Sequence, residues 1–179
     1  AQATSLNGLT SPMSAVYNLT IDTIAPDSPS VSSITTDTGL DGDWVTADNT
    51  LIFSGTAEAG ADLDVRLDGA LIGMLKANEA GEWILDYSAT VLDDGEHLIA
   101  VTATDAAGNT GSESTPLAFT IDTQPPVLPV VSGISDDTGS SASDGITRDS
   151  RLLYVGTAEA GTAIDLLIDG STVGSVTAD

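Results

Sequence analysis

Apolar and polar residues alternate with a period of two through much of the chain. Between Asp62 and Asp68, Leu63, Val65 and Leu67 fall on one side and Asp62, Asp64, Arg66 and Asp68 on the other. That is the pattern of a strand with one face in a core and one in water. Similar alternation places Leu51 and Phe53 inward on a strand from Thr50 to Thr56, gives Trp83, Leu85 and Tyr87 a shared face, and runs from His97 to Thr104. Pro29 to Thr35 reads as a first edge strand. Asp68-Gly69 is a hairpin turn into a strand from Ala70 to about Ala77. The clusters Asn78-Glu79-Ala80-Gly81, Asp93-Asp94-Gly95 and Asp105 to Asn109 mark further turns. No window sustains a 3.6-residue apolar period, so helix should be scarce.

The chain also repeats itself. Ile21-Asp22-Thr23 returns as Ile121-Asp122-Thr123, each followed shortly by proline, and residues 1 to 26 superpose on 101 to 126 without a gap. Residues 127 to 178 follow 27 to 77 with one inserted residue before Asp144. Such a return after about 100 residues means an array of domains. The reading is residues 1–26 as the C-terminal strands of one repeat, 27–126 as a complete repeat with its linker, and 127–179 as the first half of the next. Proline after the Thr-Ile-Asp-Thr strand ends pairing and makes a seam there. Seven short strands at this spacing fit an all-β fold of tandem immunoglobulin-like sandwiches, though other sandwich topologies satisfy the same spacing. The outer pieces lack strands of the central copy, so they are expected to pack poorly alone or to pair with another chain.

Charge narrows the function. With 27 acidic against 4 basic residues, a formal charge of -23, nucleic acid and anionic membrane surfaces are poor partners. No cysteine is present, which excludes disulfides and thiolate zinc sites. No apolar run is long enough to insert in a bilayer. The single histidine, His97, lies beside a turn without a nucleophile motif, and Gly55 to Gly60 lacks the Lys-Ser/Thr ending of a phosphate loop. An enzyme is not expected.

An ordered set of phrases stands out: Asp-Thr-Gly at 37–39 and 137–139, Gly-Thr-Ala-Glu-Ala-Gly at 55–60 and 156–161, Leu92 to His97, and Thr102 to Asn109. Together with Ile121-Asp122-Thr123 they resemble the bacterial Ig-like repeats that form the shafts of giant, type I-secreted, RTX-type surface adhesins. The resemblance covers essentially the whole chain. It implies an extracellular, cell-surface spacer, with adhesion or biofilm contacts made by other parts of the protein and calcium near the interdomain junctions. The glycine-rich nonapeptides of many such proteins are absent from this sequence, so export by that route rests on the family alone.

Calcium takes six to eight oxygen ligands, which Asp, Asn, carbonyls and water supply. In a sandwich of this connectivity, Asp37, Asp41, Asp43, Asp48, Asp93, Asp94 and Asp122 gather at the downstream pole. Glu58, Asp105 and Asn109 gather at the other, facing Asp22 of the preceding copy. Asp137, Asp144, Asp149 and Glu159 repeat part of the set. Opposed carboxylates across a short linker repel unless a cation lies between them. The plainer reading has these aspartates capping turns and keeping a shaft soluble, and Asp64, Asp86 and Asp165 suit a solvated face. The expectation is therefore a calcium-stiffened spacer whose partners are neighbouring repeats. Its rivals are a binding module for host glycan or protein, with Trp44 as the suspect aromatic, and a spacer indifferent to metal.

Overall fold

The twelve strands of the computed structural model, which describes residues 1–135, 137, 138, 140, 141 and 144–179, contain the alternation read above. Gly139 of the second Asp-Thr-Gly phrase and the inserted position before Asp144 lie outside the described residues. Two compact units result, Ala1–Thr123 and Gln124–Asp179. Among the described residues there is no helix, and none is long and apolar enough to cross a membrane.

The first unit contains a β-sandwich. One sheet orders β1 (Ser30–Ile34), β3 (Ile52–Thr56) and β6 (Glu82–Asp86) side by side. The other runs β2 (Val45–Thr46), β8 (Leu117–Ile121), β7 (Gly95–Thr104), β4 (Asp62–Leu67) and β5 (Ala70–Lys76). Leu51, Phe53, Leu63, Val65, Trp83, Ile99, Val101, Phe119 and Ile121 are all at most 2% exposed and fill the space between the sheets. Phe53 and Phe119 meet across it in a tilted pair with centroids 5.7 Å apart. Alternation puts these side chains inside because successive residues of a strand point to opposite faces.

Two details explain the recurrent words. The Trp83 indole N–H donates to the Ser30 carbonyl at 3.2 Å, tying β6 to β1 across β3. A Cβ on Gly55 would overlap the Ser30 carbonyl and lie 2.7 Å from the Trp83 ring, so the first glycine of Gly-Thr-Ala-Glu-Ala-Gly is required by space. Gly156 stands against the Val130 carbonyl in the same way. At the Asp68-Gly69 turn both residues have positive φ, 51° and 80°, as a type I′ hairpin requires.

The acidic loop 37–48 holds an element that alternation did not reveal. Val45 and Thr46 pair in parallel with Thr120 and Ile121. Two residues are too few to display a period, so only the tertiary pairing defines β2.

The second unit is built by the same local rules. β9 (Val130–Ile134) pairs with β10 (Tyr154–Thr157), and β11 (Ala163–Ile168) with β12 (Ser171–Thr177). The ladders β1–β3 and β9–β10 both shift register beside Ser32 and Ser132, and β4–β5 and β11–β12 both shift beside Ile72 and Val173. Val130, Val155, Val173 and Val176 are at least half exposed in this unit. In the first unit, residues 1–21 likewise leave Leu6, Met13, Val16, Tyr17 and Leu19 in solvent.

Candidate functional site

At the upstream pole of the sandwich, the linker 22–28 lies along the β7–β8 loop. Asp105, 8% exposed, closes that loop: Oδ1 accepts the N–H groups of Ala107 and Asn109 at 2.8 Å each, and Oδ2 accepts the Asn109 side-chain amide at 2.8 Å. The Asn109 amide, followed by burial acting in the opposite sense and by the backbone donors, leaves the Asp105 carboxyl below its ordinary value. Asn109 Nδ2 also reaches the carbonyls of Asp22 and Ile24, both at 3.3 Å. The Asp22 carboxylate turns back and accepts the Ile24 N–H at 3.0 Å. Glu58 lines a shallow recess with Asp27, Ser28, Thr56 and Ala57. The residues brought together here are thus Asp105, Asn109 and the backbone of Asp22, joined by hydrogen bonds.

The downstream pole is organised by a threonine. Thr46 is 1% exposed. Its hydroxyl donates to the Thr36 carbonyl at 2.5 Å and accepts the Asp48 N–H at 3.0 Å, while Thr38 Oγ1 sits 3.3 Å away and accepts the Ala47 N–H at 2.7 Å. Around this hub Asp43 Oδ1 accepts from Val45, and Asp48 Oδ1 accepts the N–H and hydroxyl of Thr50. Burial opposes ionisation of Asp48, yet the donors of Thr50 and Thr36 outweigh it and hold the carboxyl below its usual value.

The β6–β7 turn and the end of β8 join the same pole. Asp94 Oδ1 accepts the Thr123 N–H and hydroxyl at 3.1 and 2.8 Å, and the Asp122 N–H donates to the Thr46 carbonyl at 2.9 Å. Trp44 holds φ of 62° in this loop and packs half-buried against the core. Gly145 takes the aligned place in the second unit, with φ of 72°.

The second unit rebuilds the loop with its own residues. Thr138 and Thr147 hydroxyls lie 3.1 Å apart, and Thr147 accepts the Asp149 N–H at 3.0 Å. Asp144 accepts from Ile146, Asp149 from Arg151, and Glu159 from Val127. Threonines at matching loop positions in both copies are the sequence signal for this hub, which is written in hydroxyls and not in the acidic residues.

One feature of the two loops is not a cap. Asp37 Oδ2 accepts the Gly42 N–H at 2.7 Å and Asp137 Oδ2 the Gly145 N–H at 3.0 Å, but Oδ1 of both is buried with no hydrogen-bond partner among the described residues. A buried carboxylate oxygen without a partner is costly and suits a cation or a bound water. Among the described residues no three acidic or histidine side chains converge as a metal cluster. A hard cation here would therefore draw on one carboxylate with backbone carbonyls and water, a donor set that calcium accepts.

His97 stands between two turns. Its Nδ1 is 2.8 Å from Asp68 Oδ2, its Nε2 is 2.9 Å from the Asp93 carbonyl, and its ring stacks on Phe119 at 5.5 Å. Asp68 Oδ1 also accepts the Leu98 N–H at 2.8 Å. The pair pins the β4–β5 turn to the β6–β7 turn.

The family model described as bacterial Ig-like domain matches residues 23–123. No match was found among curated proteins.

Proposed function

The chain belongs to the bacterial Ig-like domain family, and from that premise we propose that it is a non-enzymatic spacer of a bacterial cell-surface adhesin, stiffened by calcium. The observation that carries the calcium part is the buried Oδ1 of Asp37, without a partner among the described residues and repeated at Asp137. A fold that strands the same carboxylate oxygen in two separate copies of one loop gains from a cation at that place. When bound, the ion would supply positive charge to a pole where Asp37, Asp43, Asp48, Asp94 and Asp122 bring negative charge to one end of the sandwich. The chain's own part is to hold the loop ready: Thr46 and Thr38 fix its backbone, and Asp94 fixes the last residues of the domain.

An ion that binds only the ordered loop stabilises it in proportion to free calcium, by roughly 2.7 kcal/mol at a hundredfold excess over the dissociation constant. Extracellular modules typically bind calcium at about 10⁻⁴ to 10⁻³ M, so the exterior fills the site and the cytoplasm leaves it vacant. The test is titration calorimetry of the chain beside Asp37→Ala, Asp137→Ala and Asp122→Ala. Saturable binding that loses one class of site in each Asp37 and Asp137 variant supports the reading. No heat up to several millimolar calcium rejects it.

The upstream contacts favour a second reading, a spacer indifferent to metal, because the linker there is held by the Asn109 amide. The binding-module reading draws less support, since Trp44 spends much of its surface on the core.

A further inference from the structure

We infer that Asp105, Asn109 and Gly111 form a socket that fixes the incoming linker to the domain without any cation, so that joint stiffness is written in the β7–β8 loop and differs between repeats. The inference rests on the spacer reading and adds to it a joint held by hydrogen bonds and close packing.

Asp105 anchors the socket. It accepts one side-chain N–H of Asn109, which orients the amide so that the second N–H points to the Asp22 and Ile24 carbonyls, at 3.3 Å each. Gly111 supplies the floor. A Cβ there would overlap the Pro26 carbonyl oxygen and lie 3.3 Å from its carbon. Because Gly111 is not among the residues with positive φ, it is glycine for space and not for conformation. Ser28 closes the far side, donating to the Glu113 carbonyl at 3.0 Å. From Asp22 to Ser28 the linker is thus held on one loop at three backbone carbonyls, two by hydrogen bonds and one by close packing, and at the Ser28 hydroxyl.

The chain contains its own control. Residues 3–11 reproduce the loop: the Thr4–Thr10 bridge matches Thr104–Thr110, and Ser5 N–H to Leu9 carbonyl at 2.8 Å matches Asp105 to Asn109 at 3.0 Å. The Ser11 N–H donates to Ala3 at 2.9 Å, as Gly111 does to Ala103 at 2.9 Å. The shape survives, but Asp105, Asn109 and Gly111 are replaced by Ser5, Leu9 and Ser11. Leu9 has no amide to donate, and Ser11 carries the Cβ that a docked proline carbonyl excludes. Loop shape and linker capture are therefore separable, and two copies of one fold differ in the second.

The experiment is ¹⁵N relaxation on the full chain in chelator. Amides of Ile24, Asp27 and Ser28 should show order parameters near ~0.85 in the wild type and fall below ~0.6 in Asn109→Leu and Gly111→Ser. Core amides such as Val65 and Val101 should stay unchanged. Asn109→Asp, which keeps the size and removes the donor, should loosen the linker alike and guards against a leucine-specific fault. A linker that stays ordered in Asn109→Asp and Asn109→Leu overturns the socket. A wild-type linker that is mobile in chelator and orders only with calcium overturns it too, while leaving the calcium reading standing. A linker ordered in the wild type and loosened in the variants, in a chain that binds no calcium, upholds the socket and rejects the calcium reading.

Discussion

His97 shows how one residue gives the domain a pH signature. Burial disfavours its charged form, but the Asp93 carbonyl and the Asp68 carboxylate outweigh that and raise its pKa above the ordinary 6.5. For Asp68, burial is likewise outweighed, by the His97 hydrogen bond, the Leu98 N–H and the imidazolium charge, so its pKa falls below 3.8. A raised histidine value means that its contribution is complete below pH 6.5 and is lost as pH climbs through the folded-state value. The aspartate's share is present above 3.8 and lost as pH falls through its depressed value. Asp68 is half exposed, so the pair contributes on the order of 0.5 kcal/mol. The stability gap between wild type and His97→Gln, from urea midpoints, should be widest between these limits and narrow by pH 8.5. A gap independent of pH would show that His97 acts through packing on Phe119 alone. Gly55→Ala is a harsher change at the same scale. Its methyl must push β1 or Trp83 aside, and the urea midpoint should drop by the equivalent of about 3 kcal/mol.

Strands were legible wherever the period was long enough to count. Leu63, Val65 and Leu67, or Trp83 followed by Leu85, announce their faces because each strand buries one side only. The β2 segment did not, since Val45 and Thr46 acquire their strand character from β8 alone. The poles were legible as places: acidic loop, β6–β7 turn and strand end meet downstream, and Asp105 and Asn109 face the linker upstream. Their chemistry was less so. Counting carboxylates says nothing about which are satisfied locally, and Asp43, Asp48, Asp94 and Asp105 all accept N–H donors close by. Nor does it reveal Thr46, whose hydroxyl organises the loop from inside. Thr46→Val keeps the shape and removes the hydroxyl, leaving the Thr36 carbonyl and Asp48 N–H without their partner. A loss of about 1–2 kcal/mol is expected in denaturant unfolding, with a weaker calcium heat because Asp37 loses its scaffold. Full stability in Thr46→Val would remove the hub from the account.

At the scale of the whole chain, the central domain carries at one end a carboxylate-rich pole that would take a cation and at the other a socket that needs none. Small-angle scattering should therefore report a maximum dimension that grows with millimolar calcium, starting from a value already larger than that of the chelated Asn109→Leu variant. Equal dimensions in calcium and chelator would leave the socket as the sole stiffening element. The short β2 pairing would also have a mechanical meaning for the spacer proposed above. The chain enters at one pole and leaves at the other, and β2 runs parallel to β8, joined by Thr120 N–H to the Trp44 carbonyl and Asp122 N–H to the Thr46 carbonyl. Once tension strips β1 away, it pulls β2 and β8 in opposite directions along their length. Those bonds would then be sheared together and not opened in turn, so two residues hidden in an acidic loop would add to the force the domain withstands.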